Sequence, residues 1–236
     1  KYLINLFLYS IGALILVGFV INAILFHSLN SLIGGTLYIN LPERKDRRKN
    51  IIREIKKIGC SFERINAIKK ENGGLGCVIS HILALEYAKK MGWNNVIIFE
   101  DDFTLFQNRM WVRYKLLTTL EKIKVWDVIM LSGIIIEEKI TEYTNLNKII
   151  NAQTASGYIV NAHFYDKLLD VYYESKKNLQ AGKDYTLWGL DQNWKKLQPH
   201  NNWFIFSPPL GYQRSGFSDI EKQVVDYSNL KIKNKL

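Results

Sequence analysis

Val96-Ile97-Ile98-Phe99-Glu100-Asp101-Asp102 (VIIFEDD) joins a wholly apolar run to three consecutive carboxylates. Four apolar residues stopped by a charged turn read as a strand buried on both faces, the pattern of a central parallel strand covered by helices. Ligand sites of open α/β sheets lie beyond the carboxyl ends of their strands, which is where Glu100, Asp101 and Asp102 fall. Adjacent carboxylates repel one another and gain from a counter-cation. In an extended chain Glu100 and Asp102 project to the same side, so both can reach one ion. Hard carboxylate oxygens suit Mn2+ or Mg2+. The plainer reading of the same residues is an acidic turn solvated at a strand end.

Outward from this strand, β-prone and helical stretches alternate. Thr36 to Leu41 is a short strand stopped by Pro42, and Lys45 to Ile58 a helix with Ile51, Ile52, Ile55 and Ile58 on one face. A second strand is expected at Ser61 to Ile65. The glycine-rich turn Asn72-Gly73-Gly74-Leu75-Gly76 opens a helix running to about Lys90. Further strands are expected at Val128 to Leu131, Gly157 to Val160 and Trp203 to Phe206, with helices at Met110 to Lys122, Ala162 to Lys176 and Gln192 to Leu197. This alternation predicts an α/β domain with a mostly parallel sheet.

The 236 residues are 47% apolar and rich in aromatics, which excludes a disordered chain, a collagen-like repeat or a disulfide-stapled miniprotein. The net charge of +10 favours an anionic partner: nucleic acid, a phospholipid surface or a phosphorylated small molecule. Cys60 and Cys77, the only cysteines, are too few for a zinc cage of cysteines and read as two buried thiols, or as a pair in an oxidising lumen. At the front, Leu3 to Phe26 holds 24 residues without a charge, enough to cross a bilayer as one helix. Residues 1–30 are therefore expected to be a single-pass membrane anchor and residues 31–236 the folded domain.

Three further clusters are candidates for chemistry. Asn40-Leu41-Pro42-Glu43-Arg44-Lys45-Asp46-Arg47-Arg48 is a basic turn entering a helix, where Arg44 and Arg47 can donate to a diphosphate beside free helix N–H groups; most of its charges read as a solvated helix face. Gly76-Cys77-Val78-Ile79-Ser80-His81 lies at a helix start, and a lone histidine there is more often packed than functional. Asp191 heads Asp191-Gln192-Asn193-Trp194 either as an N-cap or as a general base for an acceptor hydroxyl.

The ordered set YINLPERKDRR, GLGCVISH, VIIFEDD, QTASGYIV and LDQNWKKLQ…PPLGYQRSGFSDIE resembles glycosyltransferase family 25, from about Tyr38 to Glu221. That family includes bacterial lipooligosaccharide galactosyltransferases, animal collagen galactosyltransferases and relatives in large DNA viruses, the branch this chain resembles most. The resemblance implies a GT-A-like nucleotide-sugar fold, a UDP-hexose donor and inversion at the anomeric carbon. It places the metal motif on Glu100, Asp101 and Asp102, with Mn2+ or Mg2+ held by Glu100 and Asp102. Its donor-binding positions fall on Asn40, Arg44, Arg47, Ser80, His81 and Asp101, beside Gly76 and Cys77. Two departures stand out. Gly73-Gly74-Leu75 occupies a turn where the family often has a Glu, and the acidic motif is Glu-Asp-Asp rather than Asp-x-Asp.

The function expected is thus transfer of galactose or glucose from a UDP-sugar to a hydroxyl of a glycan, a lipid-linked acceptor or a protein, with Asp191 as base and no nucleic-acid partner. Rival expectations are a membrane-tethered, non-catalytic nucleic-acid or anion binder, a phospho- or nucleotidyltransferase using the same carboxylates, and a relative that keeps the fold without activity.

Overall fold

The computed structural model describes residues 11–18, 20, 29–106, 108–218 and 223–225. Leu3 to Phe26, the stretch expected to be an anchor, lies mostly outside them. Among the described residues no helix is long and apolar enough to cross a membrane.

The elements run β1 (Gly35–Asn40), α1 (Lys45–Ile58), β2 (Glu63–Asn66), α2 (Gly73–Lys90), β3 (Asn95–Glu100), β4 (Phe103–Leu105), α3 (Arg109–Lys122), β5 (Val128–Met130), β6 (Ile134–Ile140), β7 (Leu146–Gln153), β8 (Gly157–Asn161), α4 (Tyr165–Gln180), the one-turn helices α5 (Tyr185–Trp188) and α6 (Leu190–Asn193), β9 (Trp203–Phe206), β10 (Gly211–Gln213), β11 (Gly216–Ser218) and β12 (Gln223–Val225). Eight strands form one sheet in the order β2-β1-β3-β8-β5-β9-β7-β6. Six of the eight share a direction, while β7 and β8 run against them. The sheet is thus mixed: β3, expected as a strand between parallel neighbours, pairs parallel with β1 and antiparallel with β8.

The apolar run of β3 is explained by two cores. Val96 and Ile98 face one core, shared with Val78, Ile82 and Leu85 of α2 and Leu168 and Tyr172 of α4. Ile97 and Phe99 face the other, shared with Ile51, Ile55 and Ile58 of α1 and Val112 and Leu116 of α3. Because successive side chains of a strand point to opposite faces, a strand inside a three-layer α/β/α stack must be apolar at every position. α1 packs through residues at helical spacing and stops at Gly59, whose φ of +89° suits glycine.

The hairpin of β6 and β7 escaped the sequence reading. β6 is mostly exposed, β7 buries every third residue rather than every second, and two register shifts interrupt the pairing. Bulges of this kind erase the period-two signal. The helix expected at Gln192 to Leu197 splits into α6 and a 3-10 turn, Trp194–Leu197.

Candidate functional site

In the parallel register of β1 and β3, Ile39 stands opposite Glu100, so Asn40 and Asp101 leave the sheet side by side. Asn40 Nδ2 donates to Asp101 Oδ2 at 2.7 Å and to the Arg44 carbonyl at 3.1 Å, tying the first loop to the acidic turn. From the first turn of α1, Arg47 Nη1 donates to Asp101 Oδ1 at 2.9 Å and Asp102 Oδ2 at 3.3 Å. Both Asp101 oxygens are therefore engaged, and this residue serves as the clamp between β1, α1 and β3.

Asp102 is placed differently. Its Oδ2 also accepts from Gln213 Nε2 at 3.2 Å, yet its Oδ1 is buried with no hydrogen-bond partner. Burial pushes its carboxyl up to about 7, helped by the charge of Glu100 and opposed by Arg47. Burial likewise raises Asp101, against the Asn40 and Arg47 hydrogen bonds. Burial works to raise Glu100 as well, but the hydrogen bond and attraction of His81 outweigh it, with Cys77 and Arg47 adding, and hold it below the ordinary 4.5.

These groups line a cavity of about 400 Å³. One wall is the N-terminus of α2, where Asn72 accepts from Leu75 N at 3.0 Å and Gly73 and Gly76 face the space. Gly76 is required by close approach, because a Cβ there would run into the Ile68 carbonyl oxygen. Ser80 has a structural part: its hydroxyl donates to the Gly76 carbonyl at 2.7 Å and accepts from Ile68 N at 2.8 Å, pinning that loop to the helix. Lys69, Lys70, Arg47 and Arg214 also line the cavity, so its walls carry both signs of charge. Arg44 is not among the lining residues; its guanidinium pairs with Asp46 at 3.2 Å at the exposed start of α1.

His81 is fully buried on α2, one turn after Cys77. Its Nε2 lies 3.1 Å from Glu100 Oε1 and its Nδ1 2.7 Å from the Tyr158 hydroxyl, which accepts from Tyr172 at 3.2 Å. Cys77 Sγ donates to the same Glu100 oxygen at 3.6 Å. Cys60 and Cys77 are both free thiols.

Asp191 sits in an adjoining cavity of about 220 Å³, which shares Cys77, Glu100, Gln213 and Ser218 with the larger one. It is not an N-cap. Gly189 holds that position for α6, and Asp191 in its first turn accepts from Thr154 N at 2.9 Å and Gln192 Nε2 at 3.3 Å. Burial raises its carboxyl, and the Glu100 charge raises it further. Thr154 has φ +81°, a conformation that a β-branched residue adopts only under constraint from its surroundings.

The sequence reading missed Gln213, Arg214, Lys69, Lys70 and Thr154. Gln213 and Arg214 arrive because β10 pairs antiparallel with β4, returning the C-terminal segment to the acidic turn. Their only signal was their place in the PPLGYQRSGFSDIE motif.

A divalent cation fits the residues present. Glu100 and Asp102 both line the cavity, and the buried Asp102 Oδ1 has no hydrogen-bond partner, so an ion held there would supply one.

No protein-family model and no curated protein matches the chain. Solved structures of similar arrangement include a mannose-1-phosphate geranyltransferase from Thermus thermophilus, at 10% identity and TM-score 0.39 over 72% of this chain and 58% of that one. A197 from STIV matches at 7% identity and TM-score 0.41, over 81% and 93% of the two chains. A glycosyltransferase involved in the glycosylation of the major capsid of PBCV-1 matches at 9% identity and TM-score 0.46, over 80% and 95%. The chain thus spans little more than half of the Thermus protein.

Proposed function

We propose that the chain is a metal-dependent glycosyltransferase with a GT-A-like fold, related to family 25, that moves galactose or glucose from a UDP-sugar to a hydroxyl with inversion. The observation that carries this reading is the cavity beyond β1 and β3, where cationic side chains and a helix N-terminus face a carboxylate pair with an unfilled buried oxygen. A volume of about 400 Å³ suits a ligand of nucleotide-sugar size.

Each half of the cavity answers one demand of the reaction. Arg47, Lys69, Lys70 and the N-terminus of the 18-residue helix α2 attract and orient the diphosphate. Glu100 and Asp102 would hold Mn2+ or Mg2+, which when bound neutralises charge on the leaving group. Asn40 and Asp101 keep the acidic turn in place. Asp191, in the adjoining cavity, takes the proton from the acceptor hydroxyl; its burial raises its basicity for that task. The acceptor, a glycan, a lipid-linked saccharide or a protein hydroxyl, enters from that side.

The test is a panel of UDP- and GDP-sugars supplied with Mn2+ to the full chain and scored for free UDP or GDP. Turnover of a UDP-hexose is expected. Release of pyrophosphate would reassign the chain to nucleotidyl transfer, and no release from any donor would overturn the proposal.

A further inference from the structure

We propose that Cys77, His81 and Glu100 form a binding site for a thiophilic divalent cation such as Zn2+, which shares Glu100 with the hard-ion position proposed at Glu100 and Asp102 and is argued from its own ligands rather than from the sugar-transfer reading. Cys77 and His81 are four residues apart on α2, so both project from one helix face. That face meets the carboxyl end of β3, where Glu100 stands. Cys77 Sγ, His81 Nε2 and a Glu100 oxygen all lie within 4.8 Å of one another.

Two of the three ligand spacings lie close to those of tetrahedral coordination. With Zn–S of ~2.3 Å and Zn–N or Zn–O of ~2.0–2.1 Å, tetrahedral ligand atoms stand ~3.5 Å apart for S and O and ~3.3 Å for N and O. The structure has Sγ and Oε1 at 3.6 Å, and Nε2 and Oε1 at 3.1 Å. Two edges of the tetrahedron are thus already set.

The histidine is also held as a ligand should be. A metal-binding imidazole commonly gives its second nitrogen to a hydrogen-bond partner that fixes the ring. His81 Nδ1 lies 2.7 Å from the buried Tyr158 hydroxyl, the two rings stack at 5.8 Å, and Tyr172 closes on the edge at 6.3 Å. A thiolate, an imidazole and one carboxylate favour Zn2+ or Co2+ over Mg2+ or Mn2+. Three protein ligands leave a fourth position, and Cys77 and Glu100 line both cavities, so that position opens where the two meet. Glu100 belongs to both metal positions, which makes a soft ion a competitor of the hard one.

The experiment is a Co2+ titration of the full, reduced chain followed by absorption, with neither donor nor acceptor present. Thiolate ligation gives a near-ultraviolet sulfur-to-cobalt charge-transfer band, and only two cysteines exist to produce it. The band is expected in the parent and in Cys60→Ser, bleached by added Zn2+, and lost in Cys77→Ser with an unchanged far-ultraviolet circular dichroism spectrum. No band in the parent, a band surviving Cys77→Ser, or a band lost in Cys60→Ser while Cys77→Ser keeps it, would overturn the site. Because the signal reads sulfur ligation alone, its outcome is separate from that of the sugar-nucleotide panel.

Discussion

Asp191→Asn separates a structural aspartate from a base with almost no change in volume. The amide oxygen can still accept from Thr154 N, the 2.9 Å bond that ties α6 to the turn after β7. The weaker bond from Gln192 at 3.3 Å is lost, because an amide N–H₂ then faces that donor; a typical hydrogen bond contributes ~0.5–1.5 kcal/mol. Against this, the substitution removes a buried charge that Glu100 repels. The two effects oppose each other, and a net change of ~1 kcal/mol moves the melting temperature by only ~2–4 °C in a domain of this size. The pH dependence has a definite sign. Burial raises the folded carboxyl above its ordinary 3.8, so between those values the folded state binds more protons and stability falls as pH rises. The Asn variant lacks that fall and gains on the parent as pH rises through the window. Catalysis behaves otherwise: loss of a positioned base lowers turnover by ~10²–10⁴-fold, which is ~2.7–5.4 kcal/mol of barrier. Steady-state UDP release and thermal melts on the same preparations check both. Turnover within a few-fold of the parent would refute the assignment of Asp191 as base.

Arg47→Met leaves Asp101 and Asp102 buried without their common cation and should destabilise the fold by ~3–5 kcal/mol in chemical denaturation; a loss under ~1 kcal/mol would mean that the clamp does not hold these elements together. Gly76→Ala places a methyl against the Ile68 carbonyl and should cost ~1–3 kcal/mol together with donor affinity, since the displaced loop lines the cavity; an unchanged melt and unchanged UDP binding would contradict this. Leu3 to Phe26 is expected to retain the full chain in the membrane fraction through a carbonate wash, and release into the supernatant would overturn that reading of the stretch.

The parts of the fold legible in the sequence are those where one physical signal dominates. Val96 to Phe99 read as a two-sided strand because each residue must meet one of two cores. α1 was legible because its isoleucines repeat at helical spacing, and the structure ends it at Gly59. The β6–β7 hairpin was illegible because bulges break its alternation, and β10 because three residues carry no periodicity. The site divides along the same line. Glu100, Asp101, Asp102 and Arg47 were legible as charge at a strand end and a helix start; the structure pairs Arg47 with Asp101 and Asp102 and sets Glu100 in the same cavity. Arg44 looked equivalent to Arg47, but Arg44 is the N-cap residue, with non-helical backbone and its guanidinium paired with Asp46, whereas Arg47 in the first turn lines the cavity and pairs with Asp101 and Asp102. Thr154, which donates to Asp191, and Gln213, which donates to Asp102, come from segments distant in sequence, which no local pattern announces.

The central claim, that a divalent ion at Glu100 and Asp102 helps to bind a nucleoside diphosphate, is tested most directly by calorimetric titration of UDP into the full chain with and without Mn2+. UDP should bind tightly only with Mn2+, and Asp102→Asn should abolish most of that dependence while the protein stays folded. Equal UDP affinity with and without Mn2+, or unchanged Mn2+-dependent affinity in Asp102→Asn, would contradict the account.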